Sequence, residues 1–448
     1  IGILKLNKYI LIFIMIFTAN ACVEKMQLPE SLADNSEFVA GDTTYLLIQP
    51  IWDEEMGLQS PIEISIAQDG HVFVADTGAK SIFAFSQNGE LLAGFEELQN
   101  LSITPIDVDI DQKMNIYFTD GSQKIYIWNQ YINDIGIEEM AVTGSFYNEG
   151  AGSVTINAFS EEWSAYLEDD DWTLESVNWG TPQDVIDSLL APHVFYDGAD
   201  QIHSFNDIYY ESATSSFSGL SATRDESNYI YALDYTHNRI IRFDHQRTHL
   251  LKLTNGDKIW THRGVFKSSV SESGTGAGTV NEPMGIDVDY SGSIYYAQTG
   301  DFFSVHKIRP ATSGTYTTYP AVFQQGTNDI MDLFRFSKPA DVAVDNNQFV
   351  YVANTEEQEI QVFDSDGQFF LKAGVETFTI DTTMQILQGS DTVVVDTFIT
   401  VEEKGFLIEP VAVTVDDRGI VYICDTVTGR ILRYRLSNQL DEDLQPIP

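Results

Sequence analysis

Short alternating runs of apolar and polar residues, separated by polar turn clusters, recur along this chain. The clearest set lies between Pro339 and Phe363, with apolar runs at 342–344, 349–353 and 360–363. Runs of this length and alternation, bounded by turn residues, are typical of consecutive antiparallel strands. The segment is therefore predicted to form three short antiparallel strands.

The same pattern occurs six times. The copies start at Pro61, Pro105, Gly219, Pro283, Pro339 and Pro410. In every copy a polar residue follows fifteen positions after the start and closes the second strand, namely Asp76, Asp120, Asp234, Gln298, Asn354 and Asp425. A fixed spacing inside units that are irregularly separated indicates one module repeated with insertions between the copies. The pattern therefore predicts six blades.

These copies resemble NHL repeats, the module of a family of six-bladed β-propellers. The resemblance rests on the starting proline, the apolar first strand, second strands such as YVAN at 351–354, and third strands such as RILRY at 430–434. It implies an all-β fold, a six-bladed β-propeller, over about Pro61 to Tyr434. It does not specify the function, because propellers serve both as binding scaffolds and as enzymes.

The run TYLLIQPIW at 44–52 is predicted to be a strand that precedes the first copy. The last copy lacks a fourth strand of its own, and the N-terminal run can supply it. Pairing the start of the chain with its end closes the ring and hides the exposed strand edges. The predicted propeller spans 43–436, and residues 437–448 form a C-terminal tail.

Long insertions interrupt the repeats after candidate fourth strands. The candidate fourth strands lie at 90–95, 135–142, 250–253, 321–324 and 369–373. The insertions lie at 143–218, 254–282 and 375–409, and the last contains a predicted extra β-hairpin at 378–401. Connections from a fourth strand to the next first strand emerge on one face, so all three insertions are predicted to crowd one mouth of the channel. Such a face is where repeat proteins usually bind their partners.

The first insertion combines acidic and aromatic residues, with no Lys or Arg between Lys124 and Arg224. One interpretation is a recognition lobe for a protein, peptide or glycan that uses Trp163, Tyr166, Trp172 and Trp179. The alternative, which is favoured, is that these aromatic residues form the small core of the insertion. Residues 182–190 are predicted to form a short helix. The basic segment from Arg239 to Lys267 is predicted to dock against this acidic lobe.

The net charge is -43, from 67 acidic and 24 basic residues. A charge of this sign repels phosphate backbones and argues against nucleic-acid binding. It is compatible with attraction of cations or basic partners. A purely environmental origin of the acidity is an equal alternative.

The first residues have the layout of a secretory signal, with Lys5 and Lys8 before an apolar run at 9–17. The segment TANAC, which ends at Cys22, resembles a bacterial lipoprotein cleavage box. The resemblance implies a signal peptide at 1–21, lipidation of Cys22 and a flexible tether at 22–42, and hence a lipid-anchored protein of the cell envelope, at the outer membrane. An ordinary signal peptide is the alternative. The other cysteine, Cys424, is expected to be a buried core thiol.

Alternate positions of the predicted first strands are polar and are expected to face the channel. The carboxylates among them are Glu63, Asp107, Asp109, Asp287 and Asp341. Without a counter-charge they would have raised pKa values or would bind a cation, and oxygen ligands suit Ca²⁺ or Mg²⁺. The alternative is that they bond to neighbouring strand amides or to water.

The predicted propeller resembles six-bladed lactonase-like enzymes, which hold a divalent cation in the channel and use it to polarise a lactone carbonyl. The resemblance implies that Glu63 and Asp107 are ligands of such a cation. A zinc-dependent lyase is less favoured, because His71, His203 and His306 are predicted to be turn or surface residues. The repeated aspartates at the ends of the second strands are interpreted as structural, with Lys124, Arg239 or Arg430 four or five residues later as a basic partner. No catalytic residue is assigned.

The sequence therefore favours an envelope-anchored NHL-type propeller that binds a ligand or a protein through its insertion-rich face. The alternative is a divalent-metal-dependent lactonase or hydrolase with its site at the acidic mouth of the channel. Whether the protein is an enzyme is left open, with binding favoured over catalysis.

Overall fold

The computed structural model describes residues 44–129, 142–157, 162–179, 192–198 and 214–437, with shorter gaps inside the last range. The predicted leader, Cys22 and the tether lie outside the described residues. The helix predicted at 182–190 and the tail beyond residue 437 also lie outside them. Among the described residues, no helix has the length and apolar character needed to cross a membrane.

The fold is all-β, and each of the six predicted copies forms the first three strands of its own antiparallel sheet. In the first half of the chain, the strands are β1 (Tyr45–Trp52), β2 (Pro61–Ile66), β3 (Val72–Asp76), β4 (Ser81–Phe85), β5 (Asp107–Ile110), β6 (Asn115–Thr119), β7 (Lys124–Asn129), β8 (Val142–Asn148), β9 (Gly152–Asn157), β10 (Thr173–Trp179), β11 (His193–Asp197), β12 (Phe217–Ala222) and β13 (Tyr229–Asp234). One helix, α1 (Glu162–Glu168), lies between β9 and β10.

In the second half, the strands are β14 (Arg239–Lys252), β15 (Lys258–Ser271), β16 (Pro283–Val288), β17 (Ile294–Gln298), β18 (Val305–Pro310), β19 (Tyr316–Thr317), β20 (Pro339–Val344), β21 (Val350–Asn354), β22 (Glu359–Phe363), β23 (Phe369–Ala373), β24 (Val375–Gln388), β25 (Asp391–Lys404), β26 (Pro410–Val415), β27 (Val421–Asp425) and β28 (Arg430–Leu436). The sheets built on the six copies have the orders β2-β3-β4, β5-β6-β7-β11, β12-β13-β14-β15, β16-β17-β18-β19, β20-β21-β22-β23 and β26-β27-β28-β1. Short, period-two apolar runs thus form the first three strands of each sheet, as the sequence predicts.

The N-terminal strand β1 pairs with the last strand β28, from Tyr45 opposite Leu436 to Trp52 opposite Ile431. Trp52 is fully buried and contacts the rings of Phe85 in the first sheet and Tyr422 in the sixth. The start of the chain therefore supplies the fourth strand of the last sheet and packs against the first one.

The hydrophobic core is divided into six clusters among the described residues, and each cluster lies between two sheets. Five of them join consecutive sheets along the chain, and the sixth joins the last sheet to the first. The first strands β2, β5, β12, β16, β20 and β26 contact one another in the same order, and β26 contacts β2. Cys424 is buried in the cluster between the first and sixth sheets, which matches the expected core thiol.

Fourth strands were predicted less well than the first three. The strand at 369–373 is confirmed as β23, but 90–95 contributes only a single bridge between Phe85 and Leu91. Residues 250–252 belong to the third strand β14, whose partner is β15. The second sheet takes β11 from far along the chain, and the fourth sheet takes the two-residue strand β19. The prediction at 250–253 was therefore wrong as a fourth strand, and of 321–324 the described residues 322 and 323 form a bend, while 135–141 lie outside the described residues.

The insertions do not all leave the sheets at one edge. We call the edge where first strands turn into second strands the first-turn edge, and the opposite edge the second-turn edge. Because strands alternate in direction, a connection from a third to a fourth strand also lies at the first-turn edge. The sheet β10-β8-β9 and helix α1 come between β7 and β11, and the long hairpin of β14 and β15 extends past Asp244 in the same direction. The hairpin of β24 and β25 follows a fourth strand and lies at the second-turn edge. The prediction of one insertion-rich face was wrong, because β8, β9, α1 and β10 lie between the third and fourth strands of the second sheet, and the long hairpin consists of the third and fourth strands of the third sheet.

The basic segment from Arg239 to Lys267 lies within β14 and β15. Gly264 of β15 lies against the ring of Phe195 in β11, and Phe266 packs on the same cluster. The segment therefore contacts the part of the predicted insertion that forms the fourth strand of the second sheet.

Five of the six polar residues predicted to close the second strands accept hydrogen bonds from the backbone that leads into the first strand. The exception is Asp120, which follows β6 and accepts from the amide and the hydroxyl of Ser122. Asp76 accepts from the amide of Gln59 at 2.7 Å, and Asp425 accepts from Ile408 at 2.9 Å. Asn354 accepts from Ser337 at 2.7 Å. The predicted basic partner is observed for Asp234, which lies 2.9 Å from the Nε of Arg239. Lys124, the residue predicted to pair with Asp120, instead pairs with Asp197 at 3.8 Å.

The first strands approach each other so closely that side-chain volume is limited. A Cβ atom at Gly285 in β16 would lie 2.5 Å from the Cα of Asp341 in β20 and 3.0 Å from the carbonyl oxygen of Ala340. Gly285→Ala is therefore expected to lower the free energy of unfolding by about 1–3 kcal/mol through overpacking. Chemical denaturation measures the change.

The matched control is Gly276→Ala, because nothing lies within 4 Å of the added Cβ there. Its free energy of unfolding is expected to change by less than about 0.5 kcal/mol. Equal stability of Gly285→Ala and Gly276→Ala would contradict close contact between the first strands.

Candidate functional site

The five carboxylates singled out from the sequence lie together in one small cavity, which we call the carboxylate cavity. Its volume is about 30 Å³, and among the residues that line it are Glu63, Asp107, Asp109, Asp287 and Asp341. They come from β2, β5, β16 and β20, whose alternating side chains point between the sheets. A cavity of this volume accommodates about one water molecule or one ion.

Four of these carboxylates accept a hydrogen bond from a backbone amide of the next sheet. Asp107 and Asp109 accept from Leu220 at 3.2 Å and Ala222 at 2.7 Å, both in β12. Asp287 accepts from Val344 at 2.8 Å, and Asp341 accepts from Val413 at 2.9 Å. Glu63 accepts only from the amide of its neighbour Ile64, at 3.0 Å, among the described residues. The bonds to neighbouring strands, one of the two alternatives from the sequence, are therefore present in the structure.

Arg224 supplies a positive charge that the sequence analysis missed. Its Nη2 donates to both carboxylate oxygens of Asp287, at 2.8 and 3.0 Å, and its Nη1 donates to the carbonyl oxygen of Val344 at 3.2 Å. In the third copy Phe217, not Gly219, lies opposite Asp234, because the first turn is two residues longer than in the first copy. The sequence analysis assumed a spacing of fifteen residues between Gly219 and Asp234 and therefore missed the longer first turn, which places Arg224 over the cavity.

Burial raises the pKa of every carboxyl group in this cavity. The pKa of Asp341 rises from 3.8 to about 7, although the amide of Val413 lowers it. Burial also raises the pKa of Asp287 to about 6, with Arg224 opposing the rise. For Glu63 and Asp107 the pKa lies well above its ordinary value, because of burial first and the neighbouring carboxylates second. The pKa of Asp109 is also raised by burial.

In the part of the chain that the structure describes, no group of three or more His, Cys, Asp or Glu side chains is placed to hold a metal ion. The carboxylates face one another across the cavity, and four of the five have an oxygen committed to a backbone amide of the next sheet. A Ca²⁺ or Mg²⁺ ion among them remains a prediction.

A larger pocket, which we call the turn pocket, lies at the first-turn edge and has a volume of about 330 Å³. It shares Asp109, Arg224 and Thr414 with the carboxylate cavity, so the two spaces adjoin. Its other polar lining comes from the first turns of several sheets and from the turn after β4, which contributes Gln87. The first-turn residues are Gln68, Asp69, Asp111, Gln112, Tyr290, Asn346, Asp416, Asp417 and Arg418.

The first turns are held by a repeated pair of side chains that the sequence analysis did not single out. In four copies, a turn aspartate accepts backbone amide hydrogen bonds with Oδ1 and accepts from a tyrosine six residues later with Oδ2. The tyrosine hydroxyl bonds measure 3.1 to 3.3 Å, and the pairs are Asp111 and Tyr117, Asp289 and Tyr295, Asp345 and Tyr351, and Asp416 and Tyr422. The regular Asp-to-Tyr spacing in the sequence is a signal that would have revealed them. Asp111 and Asp416 also line the turn pocket, so this pairing fixes part of its wall.

The aromatic candidates of the first insertion pack against one another. The ring of Tyr166 lies 4.7 Å from that of Trp172 and 5.4 Å from that of Phe146, which is buried. For Tyr166 and Trp172 this packing is that of a small core, the alternative favoured by the sequence. The side chains of Trp163 and Trp179 lie outside the described part.

The prediction for His306 was wrong. His306 is buried in β18, where its ring stacks on Tyr296, and burial lowers its pKa to about 4. The apolar third strand explains its position, because alternate residues of that strand face the neighbouring sheet. His71 is partly exposed and lies 3.1 Å from Asp69, as expected of a turn residue. His203 lies outside the described residues.

The NHL repeat family matches residues 336–363, which include β20, β21 and β22. No curated protein sequence matches the chain. The chain is thus identified as carrying an NHL repeat in its fifth copy.

Among solved structures, the chain is similar to an auxiliary nutrient binding protein from Bacteroides ovatus, with 11% identity over 88% of this chain and 77% of the other and a TM-score of 0.47. A gluconolactonase from Xanthomonas campestris shows 10% identity over 89% and 91%, with a TM-score of 0.45. The virginiamycin B lyase of Staphylococcus aureus shows 11% identity over 88% and 99%, with a TM-score of 0.40. At these identities and TM-scores, the likenesses assign no function to this chain.

The raised pKa values make stability depend on pH. A carboxyl group whose pKa is higher in the folded state takes up its proton more readily there, so the free energy of unfolding rises as the pH falls. For Asp341 this contribution is complete below pH 3.8 and is lost as the pH rises through about 7. Between these limits each such proton changes the free energy of unfolding by about 1.4 kcal/mol per pH unit.

Asp341→Asn is expected to flatten the dependence of the melting temperature on pH between about 4 and 7, because its amide keeps an oxygen acceptor for Val413 but does not titrate. The matched control is the exposed Asp417→Asn, which should keep the wild-type slope. A slope in Asp341→Asn equal to that of the wild type would show that Asp341 is ionised throughout this range.

Proposed function

We propose that this protein is a six-bladed NHL-like β-propeller that binds a ligand at its first-turn edge. The fold part of the proposal is supported by six sheets with cores between successive sheets, by the contact of β26 with β2, and by the pairing of β1 with β28. In this arrangement β1 closes the ring and the carboxylate cavity lies in the channel.

The observation that carries the binding proposal is the turn pocket. Sites for small molecules are concave and present a few well-placed polar groups on a rigid frame. Asp416, which lines the pocket, accepts from the amides of Arg418 and Ile420 and binds the Arg418 guanidinium at 2.7 Å. A wall fixed by its own hydrogen bonds loses little conformational entropy when a ligand arrives.

Two insertions extend the same edge. The β10-β8-β9 sheet with α1 lies between a third and a fourth strand, and the β14–β15 hairpin is the extended third and fourth strands of its sheet, so both project beside the first turns. We therefore assign the partner-binding face, for a protein, peptide or glycan, to the first-turn edge. The charge of -43 leaves nucleic acid disfavoured as a partner.

The proposal places the protein in the cell envelope, anchored to a membrane through a lipid on Cys22. Its support is the sequence alone, in which TANAC follows an apolar run. Partition of the full chain and of Cys22→Ala between detergent and aqueous phases tests it, and equal partition of the two would remove the anchor from the proposal.

Asn346 allows a direct test of the turn pocket, because it lines the pocket and is exposed, whereas the adjacent exposed Asn347 does not line it. Asn346→Trp is expected to abolish the thermal stabilisation that the wild type gains from its ligands in a library of small polar metabolites, because the indole fills the pocket. Differential scanning fluorimetry measures the shifts.

Asn347→Trp is the matched control and should retain every shift. Binding in the turn pocket is contradicted if no compound stabilises the wild type, or if the same compounds stabilise Asn346→Trp and the wild type equally.

A second candidate function is a divalent-metal-dependent hydrolase of the lactonase kind. The observation that favours it is the convergence of five carboxyl groups in a cavity that adjoins the turn pocket through Asp109. A volume of about 30 Å³ holds an ion but no organic substrate, so the substrate would lie in the turn pocket. Glu63 is the carboxylate best placed to coordinate an ion, because among the described residues no backbone amide of another sheet donates a hydrogen bond to it.

If Ca²⁺ or Mg²⁺ binds among these carboxylates, EDTA is expected to lower the melting temperature of the wild type, and elemental analysis should find about one ion per chain. Glu63→Gln should lose the ion and the response to EDTA, while Asp417→Asn should keep both. A wild type without bound metal and with an unchanged melting temperature in EDTA would rule out the metal-dependent hydrolase in this form.

A further inference from the structure

We infer that the ligand of the turn pocket is a saccharide without acidic groups, an inference that rests on the proposed binding function. The pocket is lined mainly by polar side chains, with Ile66, Ala67, Ile110 and Val415 as its apolar exceptions. Pockets for small molecules are usually lined mostly by hydrophobic and aromatic residues with a few polar groups, so the turn pocket is unusually polar. The ligand must therefore offer hydrogen-bonding groups on most of its surface.

Several polar groups of the pocket are not engaged within the protein. The side chains of Gln68, Asn346 and Asp417 line it and make no hydrogen bond to another described residue. Side-chain amides both donate and accept, whereas a carboxylate only accepts. A hydroxyl group also both donates and accepts, so a ring that carries several hydroxyls matches this mixture from every direction.

Tyr290 adds an aromatic surface at the pocket. It lies in the turn between β16 and β17, lines the pocket, and leaves 54% of its surface exposed, which is unusual for so large an apolar side chain. A tyrosine ring is apolar on its faces and polar at its tip. It can pack against the C–H face of a sugar ring while the hydroxyls of that ring reach the amides and carboxylates.

The charge of the pocket excludes acidic sugars. Five aspartates line it against two arginines. Both arginines are already paired, Arg224 with Asp287 at 2.8 Å and Arg418 with Asp416 at 2.7 Å. A carboxylate on the ligand would meet carboxylates of the protein without an available guanidinium, so a neutral or amine-bearing saccharide fits and a uronic acid does not.

Isothermal titration calorimetry with the wild-type protein tests this inference. The probes are neutral hexoses and their disaccharides, hexosamines, N-acetylhexosamines, the matching hexuronic acids, and putrescine as a cation without hydroxyls. At least one neutral or amine-bearing sugar is expected to bind, and its uronic acid counterpart is expected to bind at least about tenfold more weakly. Tyr290→Ala should weaken binding of that sugar by about tenfold or more.

Tyr235→Ala is the matched control, because Tyr235 is also an exposed tyrosine but lies in a second turn at the opposite edge. It should bind like the wild type. The inference is overturned if uronic acids or putrescine bind as tightly as the neutral sugars, or if Tyr290→Ala and Tyr235→Ala behave alike.

Failure of the saccharide inference is distinguishable from failure of the proposed function. If no saccharide binds but other metabolites stabilise the wild type and not Asn346→Trp, the pocket is a binding site for another polar ligand and only the saccharide inference falls. If no saccharide and no metabolite loses its binding or its stabilising effect in Asn346→Trp, both the saccharide inference and the proposed binding function are contradicted.

Discussion

The structure depends on hydrogen bonds from backbone amides of one sheet to buried carboxylates of the sheet before it. The first strands lie too close for large side chains between them, as the contact of Gly285 with Asp341 indicates. An amide facing this narrow space needs an acceptor, because an unpaired buried N–H costs as much as a lost hydrogen bond. The short side chain of aspartate fits and accepts. Its burial raises the pKa of the carboxyl group, because the charged form is poorly solvated in this space.

Arg224 shows how the same constraint shapes the candidate site. Asp287 bonds to Val344 and also to Arg224, whose guanidinium spans from one sheet to the next at the boundary between the carboxylate cavity and the turn pocket. The guanidinium opposes the rise in the pKa of Asp287, which reaches only about 6. The narrow interior is thereby filled by bonded groups, and the open volume lies at the first-turn edge.

The sequence predicts the strands that follow from local alternation of apolar and polar residues. It does not predict the strands that are selected by pairing with residues far away in the chain. The first three strands of each sheet follow from their alternation, and β1 follows from the missing strand of the last copy. Fourth strands such as β11 and β19 are short and are selected by tertiary pairing, so alternation does not locate them. The face of the insertions depends on those outer strands and was therefore mispredicted. In the site, the five carboxylates were identified because their alternation is regular, whereas Arg224 lies in the one first turn whose extra length breaks the fixed spacing.

Many of the aspartates that were candidates for a functional site accept hydrogen bonds that hold strands or turns in place. Asp76 and Asp425 cap the entry to first strands, Asp111 and Asp416 hold first turns together with a tyrosine, and Asp341 joins two sheets. A carboxylate that is committed to backbone amides has fewer oxygens for a ligand. Acidic groups without such a bond to another sheet or turn are therefore the informative ones. Glu63 is such a group inside the cavity, and Asp417 is such a group at the turn pocket. The two groups differ in their surroundings: Glu63 lies among the other carboxyl groups of the cavity, whereas Asp417 is exposed to solvent beside Arg418.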